Sequence, residues 1–112
     1  MINFIVCDNN EKIVENVVKV IDKVMIKNNI AYKNHKFVDY NQEFMSEMKQ
    51  HGTNKIYILD IEVNNKSGID IARMIRKDDL NSAIIFLTSH NELAECVVTN
   101  VIMPLGFVCK FN

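Results

Sequence analysis

The sequence feature that most constrains the fold is a short apolar run that ends in an acid. Residues 55–62 read KIYILDIE, and positions 56–59 within them are all apolar. A strand of this kind is covered on both faces, which is typical of a parallel sheet. Asp60 follows the run directly, and in open α/β sheets ligands and chemistry lie beyond the carboxyl ends of the strands. The run therefore places a carboxylate where an α/β protein is expected to have its site.

The rest of the chain alternates between strand-like and helix-like patterns. The predicted strands span residues 2–7, 32–40, 55–61, 83–87 and 105–109. The predicted helices span residues 11–28, a short segment between Asn41 and Gly52, residues 69–77 and residues 91–101. Such alternation predicts a five-stranded parallel sheet with helices on both faces and right-handed crossovers.

Composition narrows the class of protein further. The chain has 112 residues, enough for one domain, and its net charge of -1 gives this segment no electrostatic reason to bind nucleic acid by itself. No apolar run approaches the length of a membrane span, and no signal-peptide pattern opens the chain. The cysteines, at positions 7, 96 and 109, form no CxxC pair, which favours reduced, buried thiols. We expect a cytoplasmic protein without membrane contact.

Polar side chains follow the predicted strands at the points where the strands end. They are Asp8 and Asn9 after the first strand, Asp60 and Glu62 at the third, Thr88 after the fourth and Lys110 after the fifth. Because the carboxyl ends of parallel strands share one edge, we expect these groups to form a small charged pocket there. There is no GxGxxG or Walker pattern after the first strand, which disfavours nucleotide binding.

Each member of this set has a chemical use. Mg²⁺ prefers carboxylate, carbonyl and water oxygens, which Asp8, Asn9, Asp60 and a backbone carbonyl near Glu62 can supply. An ionised Asp60 can attack a phosphoryl group and form an aspartyl phosphate. The oxygens that the phosphoryl group adds need cationic and hydroxyl partners, and Lys110 and Thr88 fit those roles.

The arrangement resembles the receiver domain of two-component response regulators. Three stretches look like the accessory-gene-regulator type, whose members usually carry a C-terminal LytTR DNA-binding domain. They are FIVCDN at 4–9, IRK at 75–77 and IIFLTSHNEL at 84–93. The resemblance implies a flavodoxin-like (CheY-like) doubly wound sheet and a sensor histidine kinase as partner. It implies no enzyme in the ordinary sense, although receivers take part in their own phosphoryl transfer and hydrolysis.

The resemblance also assigns roles to residues. It implies that Asp60 is the phosphoacceptor and that Lys110 binds the phosphate. The assigned magnesium ligands are Asp8, Asn9, Asp60 and the Glu62 backbone, and the assigned switch residues are Thr88 and Phe107. Taken alone, Phe107 in a strand is better explained as core packing. His35 and His51 are expected on the surface.

Three departures from the family pattern matter. Asn9 stands where the family usually has a second acid, so we expect weaker Mg²⁺ binding. Phe111 replaces the proline that usually follows the lysine. No fifth helix follows the last strand, so we expect residues 1–112 to be a receiver domain that stops before helix five and an output domain. An apolar sheet face near residues 105–109 would then favour self-association or exchange of an element between chains.

Two rival functions stay open at this stage. One is a receiver-like interaction module that works without phosphorylation, which the Asn9 substitution and the lack of a fifth helix make reasonable. The other is a flavodoxin-like ligand-binding domain. The latter is disfavoured because no glycine- or hydroxyl-rich phosphate loop follows the first strand.

Overall fold

The computed structural model describes residues 1–50, 54–89 and 102–110. Its strands are β1 Ile2–Cys7, β2 Tyr32–Phe37, β3 Lys55–Asp60, β4 Glu62–Val63, β5 Lys66–Ser67, β6 Ala83–Thr88 and β7 Gly106–Cys109. Its helices are α1 Glu11–Lys27, α2 Gln42–Lys49 and α3 Gly68–Asp78. The predicted helix over residues 91–101 lies outside the described residues.

Five strands form one parallel sheet in the order β2-β1-β3-β6-β7. This is the flavodoxin-like order, and it confirms the predicted fold class. In such a sheet the order reverses at β1 and β3, which therefore lie side by side at its centre. Asp8 and Asp60 are placed at the carboxyl ends of these two central strands.

The side chains of the central strands alternate between two cores, one on each face of the sheet. On one face, Val6 and Ile58 pack against the buried stripe of α1, which comprises Val14, Val18, Ile21 and Met25. On the other face, Ile5 and Leu59 join a core that includes residues of α2 and α3. The strands are therefore covered on both sides, as the apolar run at 56–59 predicts, and their ends are held rigidly.

Polar caps fix where the helices begin. The Asn10 side chain accepts a hydrogen bond from the Lys12 amide, and the Asn41 side chain accepts one from the Phe44 amide, each at 3.0 Å. The Ser67 hydroxyl accepts from the amides at the start of α3. These bonds satisfy amides that a helix leaves unpaired at its first turn. Gly52, the predicted end of α2, lies outside the described residues, and the helix ends before it, at Lys49.

Two local predictions are corrected by the structure. Strand β2 ends at Phe37 instead of residue 40, because its partner β1 ends at Cys7 and offers no further pairing. The polar segment after Glu62 is a small antiparallel hairpin, β4–β5, instead of a loop. Asn64 and Asn65 turn it with positive φ angles of 50° and 66°, a conformation that asparagine tolerates better than most residues.

Candidate functional site

The site lies on the rim of the sheet where the parallel strands end. Asp8 directly follows β1, Asp60 ends β3, Thr88 ends β6 and Lys110 directly follows β7. Neighbouring strands pair in register, with Asp60 opposite Leu87 and Thr88 opposite Cys109. The rim therefore brings together residues that are up to about a hundred positions apart in the chain.

Lys110 joins the two carboxylates directly. Its Nζ lies 2.6 Å from Asp8 Oδ2 and 3.0 Å from Asp60 Oδ1. The lysine and Asp60 side chains are each 9% exposed, and that of Asp8 is fully buried. The Lys110 amide also donates to the Thr88 carbonyl at 2.8 Å, which extends the β6–β7 pairing to the rim. Two negative charges and one positive charge thus share a pocket with little solvent accessibility.

Burial and charge change the acidity of these groups in opposite ways. Burial raises the pKa of Asp60, and the negative charge of Asp8 raises it further, while the hydrogen bond from Lys110 only partly offsets both. Burial lowers the pKa of Lys110, but hydrogen bonds to Asp8 and Asp60 outweigh it and leave that pKa raised. The lysine is consequently held as an ammonium ion. Binding of a further cation at the rim would be favourable, because it would help to keep Asp60 ionised.

The oxygen groups at this rim suit a hard divalent cation. The two carboxylates of Asp8 and Asp60 face one ammonium, which lies 2.6 Å from the buried Asp8 Oδ2. The Glu62 amide donates to Asp60 Oδ1 at 3.4 Å, which brings the Glu62 backbone next to the phosphoacceptor candidate. Among the described residues no three His, Cys, Asp or Glu side chains are grouped to hold a metal. A metal here would depend on two carboxylates together with neutral oxygens, a donor set that Mg²⁺ accepts.

The other predicted site residues lie at or near the rim in different environments. Thr88 is buried, at 6% exposure, whereas Asn9 and the side chain of Glu62 are exposed. Phe107 is 43% exposed and stacks on Phe86 with ring centroids 5.9 Å apart. The prediction of Phe107 as ordinary core packing is therefore wrong, because strand β7 lies at the edge of the sheet.

Two further expectations concern residues away from the rim. His35 is not a simple surface residue: its side chain is 16% exposed and lies between Glu47, at 2.9 Å, and Asn3, at 3.1 Å. Cys7 is buried, as predicted, and burial raises the pKa of its thiol, while Cys109 is half-buried. His51 and Cys96 lie outside the described residues.

The sequence patterns did not single out two residues that support the rim. The Tyr40 hydroxyl donates to the Asp60 carbonyl at 2.5 Å. Gly68 begins α3 so close to the same carbonyl that a Cβ at this position would overlap its oxygen. A glycine that opens a helix straight after a polar segment is a weak sign of such close approach. A lone tyrosine after a strand offered no sign at all.

A parallel α/β sheet whose carboxyl rim joins two carboxylates through a lysine is an architecture found in receiver domains. The family model described as "Response regulator receiver domain" matches residues 4–110. The chain belongs to this family of two-component response regulators, and the resemblance found in the sequence is confirmed. Among the described residues, no helix is both long enough and apolar enough to span a membrane.

Individual relatives make the comparison more specific. The chain is 27% identical over 106 residues to accessory gene regulator protein A of Staphylococcus aureus, a match that covers 94% of this chain and 44% of the relative. The chain thus spans less than half the length of the curated relatives it matches. This similarity confirms the expected likeness to the accessory-gene-regulator type.

Solved structures support the fold independently. A response regulator receiver domain protein from Clostridium thermocellum has a TM-score of 0.78 at 18% identity, with 100% of this chain and 84% of that one covered. The chemotaxis response regulator CheY4 of Vibrio cholerae has a TM-score of 0.75 at 14% identity, with 100% and 88% covered. At these identities the likeness shows the fold alone.

Proposed function

We propose that this chain is a phosphoacceptor receiver domain in which Asp60 takes a phosphoryl group from a sensor histidine kinase. The observation that carries the proposal is the ammonium of Lys110, held between Asp8 and Asp60 at the carboxyl rim of the sheet. The Lys110 side chain is 9% exposed, and taking three charges out of water costs free energy, so clusters of this kind are often found at functional sites. Membership of the receiver-domain family makes phosphoryl transfer the chemistry that we propose for this site.

The proposed transfer balances as a simple substitution at phosphorus. An oxygen of the ionised Asp60 forms a bond to phosphorus, the bond from phosphorus to the donor's imidazole nitrogen breaks, and that nitrogen takes up a proton. Lys110 stands 3.0 Å from Asp60 Oδ1, where it can follow the oxygens of the arriving group. The Thr88 hydroxyl is proposed to bond to the same group from the end of β6.

Mg²⁺ is the proposed cofactor of this site. Asp8, Asp60, Asn9 and the Glu62 backbone would hold it, and when bound it supplies charge neutralisation for the transferred phosphoryl oxygens. Asn9 contributes only a neutral oxygen in this set, so the two carboxylates carry most of the electrostatic attraction. Burial and the charge of Asp8 raise the pKa of Asp60, so a cation at this rim would help to keep Asp60 ionised.

The consequence of phosphorylation is proposed to be a shift between two conformations of the rim. An aspartyl phosphate would attract Thr88 and Lys110 and so bias the position of β7, which carries the exposed ring of Phe107. Phe107 is in this sense the proposed switch aromatic. Phe107 stacks on Phe86, which belongs to the neighbouring strand β6. A movement of Thr88, at the end of β6, would therefore be transmitted to the exposed ring of Phe107.

The whole protein is proposed to be a cytoplasmic transcription regulator. This chain spans 44% of the length of the S. aureus relatives, so there is room in a protein of their size for a LytTR-like output domain beyond residue 112. DNA would be bound through that domain only, since this segment has a net charge of -1. Hydrolysis of the aspartyl phosphate within the receiver would end the signal.

Self-association is proposed at the β7 face. Phe107 is 43% exposed and Val108 49% on β7, a strand at the edge of the sheet, and Leu105, just before this strand, is 70% exposed. Exposed apolar side chains along an edge strand favour pairing with another chain. Light scattering at rising protein concentration is expected to show dimers or exchanged dimers, and a monomer at every concentration would contradict this part of the proposal.

The phosphoacceptor assignment is tested by titrating beryllofluoride and Mg²⁺ while recording two-dimensional NMR spectra. We expect saturable shifts at Thr88, Phe107 and Lys110 in the wild type and none in Asp60→Asn. An unchanged wild-type spectrum would instead favour a receiver-like interaction module that works without phosphorylation. The observation on which that alternative rests is the exposed, uncharged Asn9 in place of a second acid.

A further inference from the structure

The backbone of the candidate phosphoacceptor accepts a hydrogen bond from a buried tyrosine in another part of the chain. Tyr40 lies between β2 and α2, is 2% exposed, and donates its hydroxyl proton to the Asp60 carbonyl at 2.5 Å. Its ring meets the ring of Phe44 edge to face, with centroids 5.0 Å apart. The packing fixes the direction of the ring, so the hydroxyl has one place to donate.

Gly68 packs against the Asp60 carbonyl from a second side. A Cβ on Gly68 would overlap the Asp60 carbonyl oxygen and would lie 3.0 Å from the Tyr40 hydroxyl. The Gly68 amide donates to the Ile61 carbonyl at 2.5 Å. The peptide between residues 60 and 61 is therefore held between a hydroxyl and a helix start, with no room for a side chain.

The residue before Tyr40 holds the segment that follows the site. A hydrogen bond with Asn64 and the charge of Lys66 keep the pKa of Asp39 lowered despite its partial desolvation. The ammonium of Lys66 also lies 3.1 Å from the Tyr40 carbonyl. Residues 39 and 40 thus contact both the end of β3 and the β4–β5 hairpin, which contains Glu62.

We infer that Tyr40 is a positioning residue for phosphoryl transfer: its hydroxyl fixes the Asp60 backbone and so aims the Asp60 carboxylate at Lys110. The inference rests on the proposed function of Asp60. Its physical basis is that the Asp60 carboxylate is only two bonds from a backbone whose orientation the Tyr40 hydrogen bond sets. Small errors in aim matter because transfer requires the attacking oxygen, the phosphorus and the leaving nitrogen to be aligned.

Tyr40→Phe tests this assignment, because it removes one hydroxyl and leaves the ring packed on Phe44. The matched control is Tyr32→Phe, which removes a hydroxyl that donates to Asp22 Oδ1 at 2.6 Å. Tyr32 begins β2 and so lies at the opposite edge of the sheet from the rim. Both variants are expected to lower the urea midpoint of unfolding, since each loses one hydrogen bond.

The readout is the rate of Asp60 phosphorylation by acetyl phosphate with saturating Mg²⁺. We expect Tyr40→Phe to lower the maximal rate by about tenfold, with a nearly unchanged half-saturating acetyl phosphate concentration, because aim is lost and binding is not. Tyr32→Phe is expected to keep the wild-type rate. A second readout, independent of turnover, is the NMR signal of the Asp60 carboxyl carbon, which we expect to shift in Tyr40→Phe only.

The outcomes distinguish the proposed function of Asp60 from the positioning role of Tyr40. If the wild type gains no phosphoryl group at Asp60, the proposed function itself fails. If the wild type is phosphorylated and Tyr40→Phe matches it in both rate and Asp60 carboxyl signal, the positioning role is overturned. A loss of rate equal in both tyrosine variants would also overturn it, because general destabilisation would then explain the effect.

Discussion

Cationic side chains with little solvent exposure lie at both ends of the parallel strands, at the carboxyl edge and at the amino edge, and their partners differ. At the carboxyl edge, Lys110 faces two carboxylates. At the amino edge, Arg76 is 5% exposed, and within the described part of the chain it donates to backbone carbonyls, those of Asp79, Ser82, Ile102 and Met103. Lys55, at the same edge, likewise donates to the carbonyls of Glu47, Met48 and Gln50 at the end of α2.

From these partners we propose that Arg76 and Lys55 are structural cations and that Lys110 is available for chemistry. Carbonyl oxygens are neutral and fixed in the backbone, so Arg76 and Lys55 tie loops and a helix end to the sheet. Carboxylates carry charge and can exchange one cation for another, and we propose that the Lys110 cluster admits a metal ion and releases the lysine to a phosphate. Removing a cation should therefore cost mainly stability at one edge and mainly activity at the other.

The largest expected effect is at the structural edge. Arg76→Met leaves four carbonyls without their shared donor and should lower the free energy of unfolding by about 3 kcal/mol or more. Arg73→Met, on the same helix, breaks only an exposed pair with Asp70 and should cost no more than about 0.5 kcal/mol. Urea unfolding of both variants measures this, and similar losses would remove the distinction between the two edges.

The second effect is at the chemical edge. Lys110→Met should lower the rate of phosphorylation by acetyl phosphate about a hundredfold, because the transferred oxygens lose their cationic partner. Mg²⁺ should raise its unfolding midpoint more than that of the wild type, since the metal replaces the missing charge between Asp8 and Asp60. Lys36→Met, which loses only an exposed pair with Glu15, is the control and should resemble the wild type in both measurements.

If Mg²⁺ failed to stabilise Lys110→Met, the two carboxylates would not form a cation site. A rate in Lys110→Met equal to that of the wild type would place the lysine among the structural cations, with Arg76 and Lys55. Either result would overturn the chemical role of the carboxyl edge and leave the structural role of the amino edge unaffected.

A third, smaller effect concerns the strength of the metal site. Asn9→Asp adds a charged oxygen to the two carboxylates and should tighten Mg²⁺ binding by about tenfold. Asn10→Asp adds the same charge one residue later, where the side chain caps α1, and should change the affinity much less. Mg²⁺ titrations followed by NMR that give one affinity for the wild type and Asn9→Asp would remove the metal-ligand role of residue 9.

The smallest effect is a dependence of stability on alkaline pH. The pKa of Lys110 is raised above its ordinary value of 10.5, so its stabilising contribution is fully present below that pH. The contribution is lost as the pH rises through the higher pKa of the folded state. The wild type should therefore lose more stability above pH 10.5 than Lys110→Met does, which unfolding curves at several pH values would show. Parallel losses in the two proteins would contradict the ion pairing of Lys110.

The fold and the rim cluster were predictable from the sequence, because both depend on repeated local patterns. Apolar runs of strand length marked the sheet, and the polar residue after each run marked the rim. The positions of Asp8, Asp60 and Lys110 followed from the parallel order of strands alone. Their direct contact is a tertiary result of the β7 register, which sequence spacing does not determine.

The parts that escaped prediction depend on contacts between distant segments. Tyr40 and Arg76 have no local pattern that reveals their partners, since the contacted carbonyls belong to other segments of the chain. The β4–β5 hairpin was missed because its strands have only two residues each, too few to show alternation. Phe107 was misjudged because burial at the edge of a sheet depends on what covers it, which residues 105–109 do not encode.

The proposal that Asp60 accepts a phosphoryl group, at a rim shared with Asp8 and Lys110, can be tested chemically. Its most direct test is incubation with acetyl phosphate and Mg²⁺, followed by borohydride trapping and peptide mass mapping. We predict a single modified site at Asp60, lost in Asp60→Asn and strongly reduced in Lys110→Met. An unmodified protein, or equal modification of the Asp60→Asn variant, would contradict the role of Asp60 as phosphoacceptor.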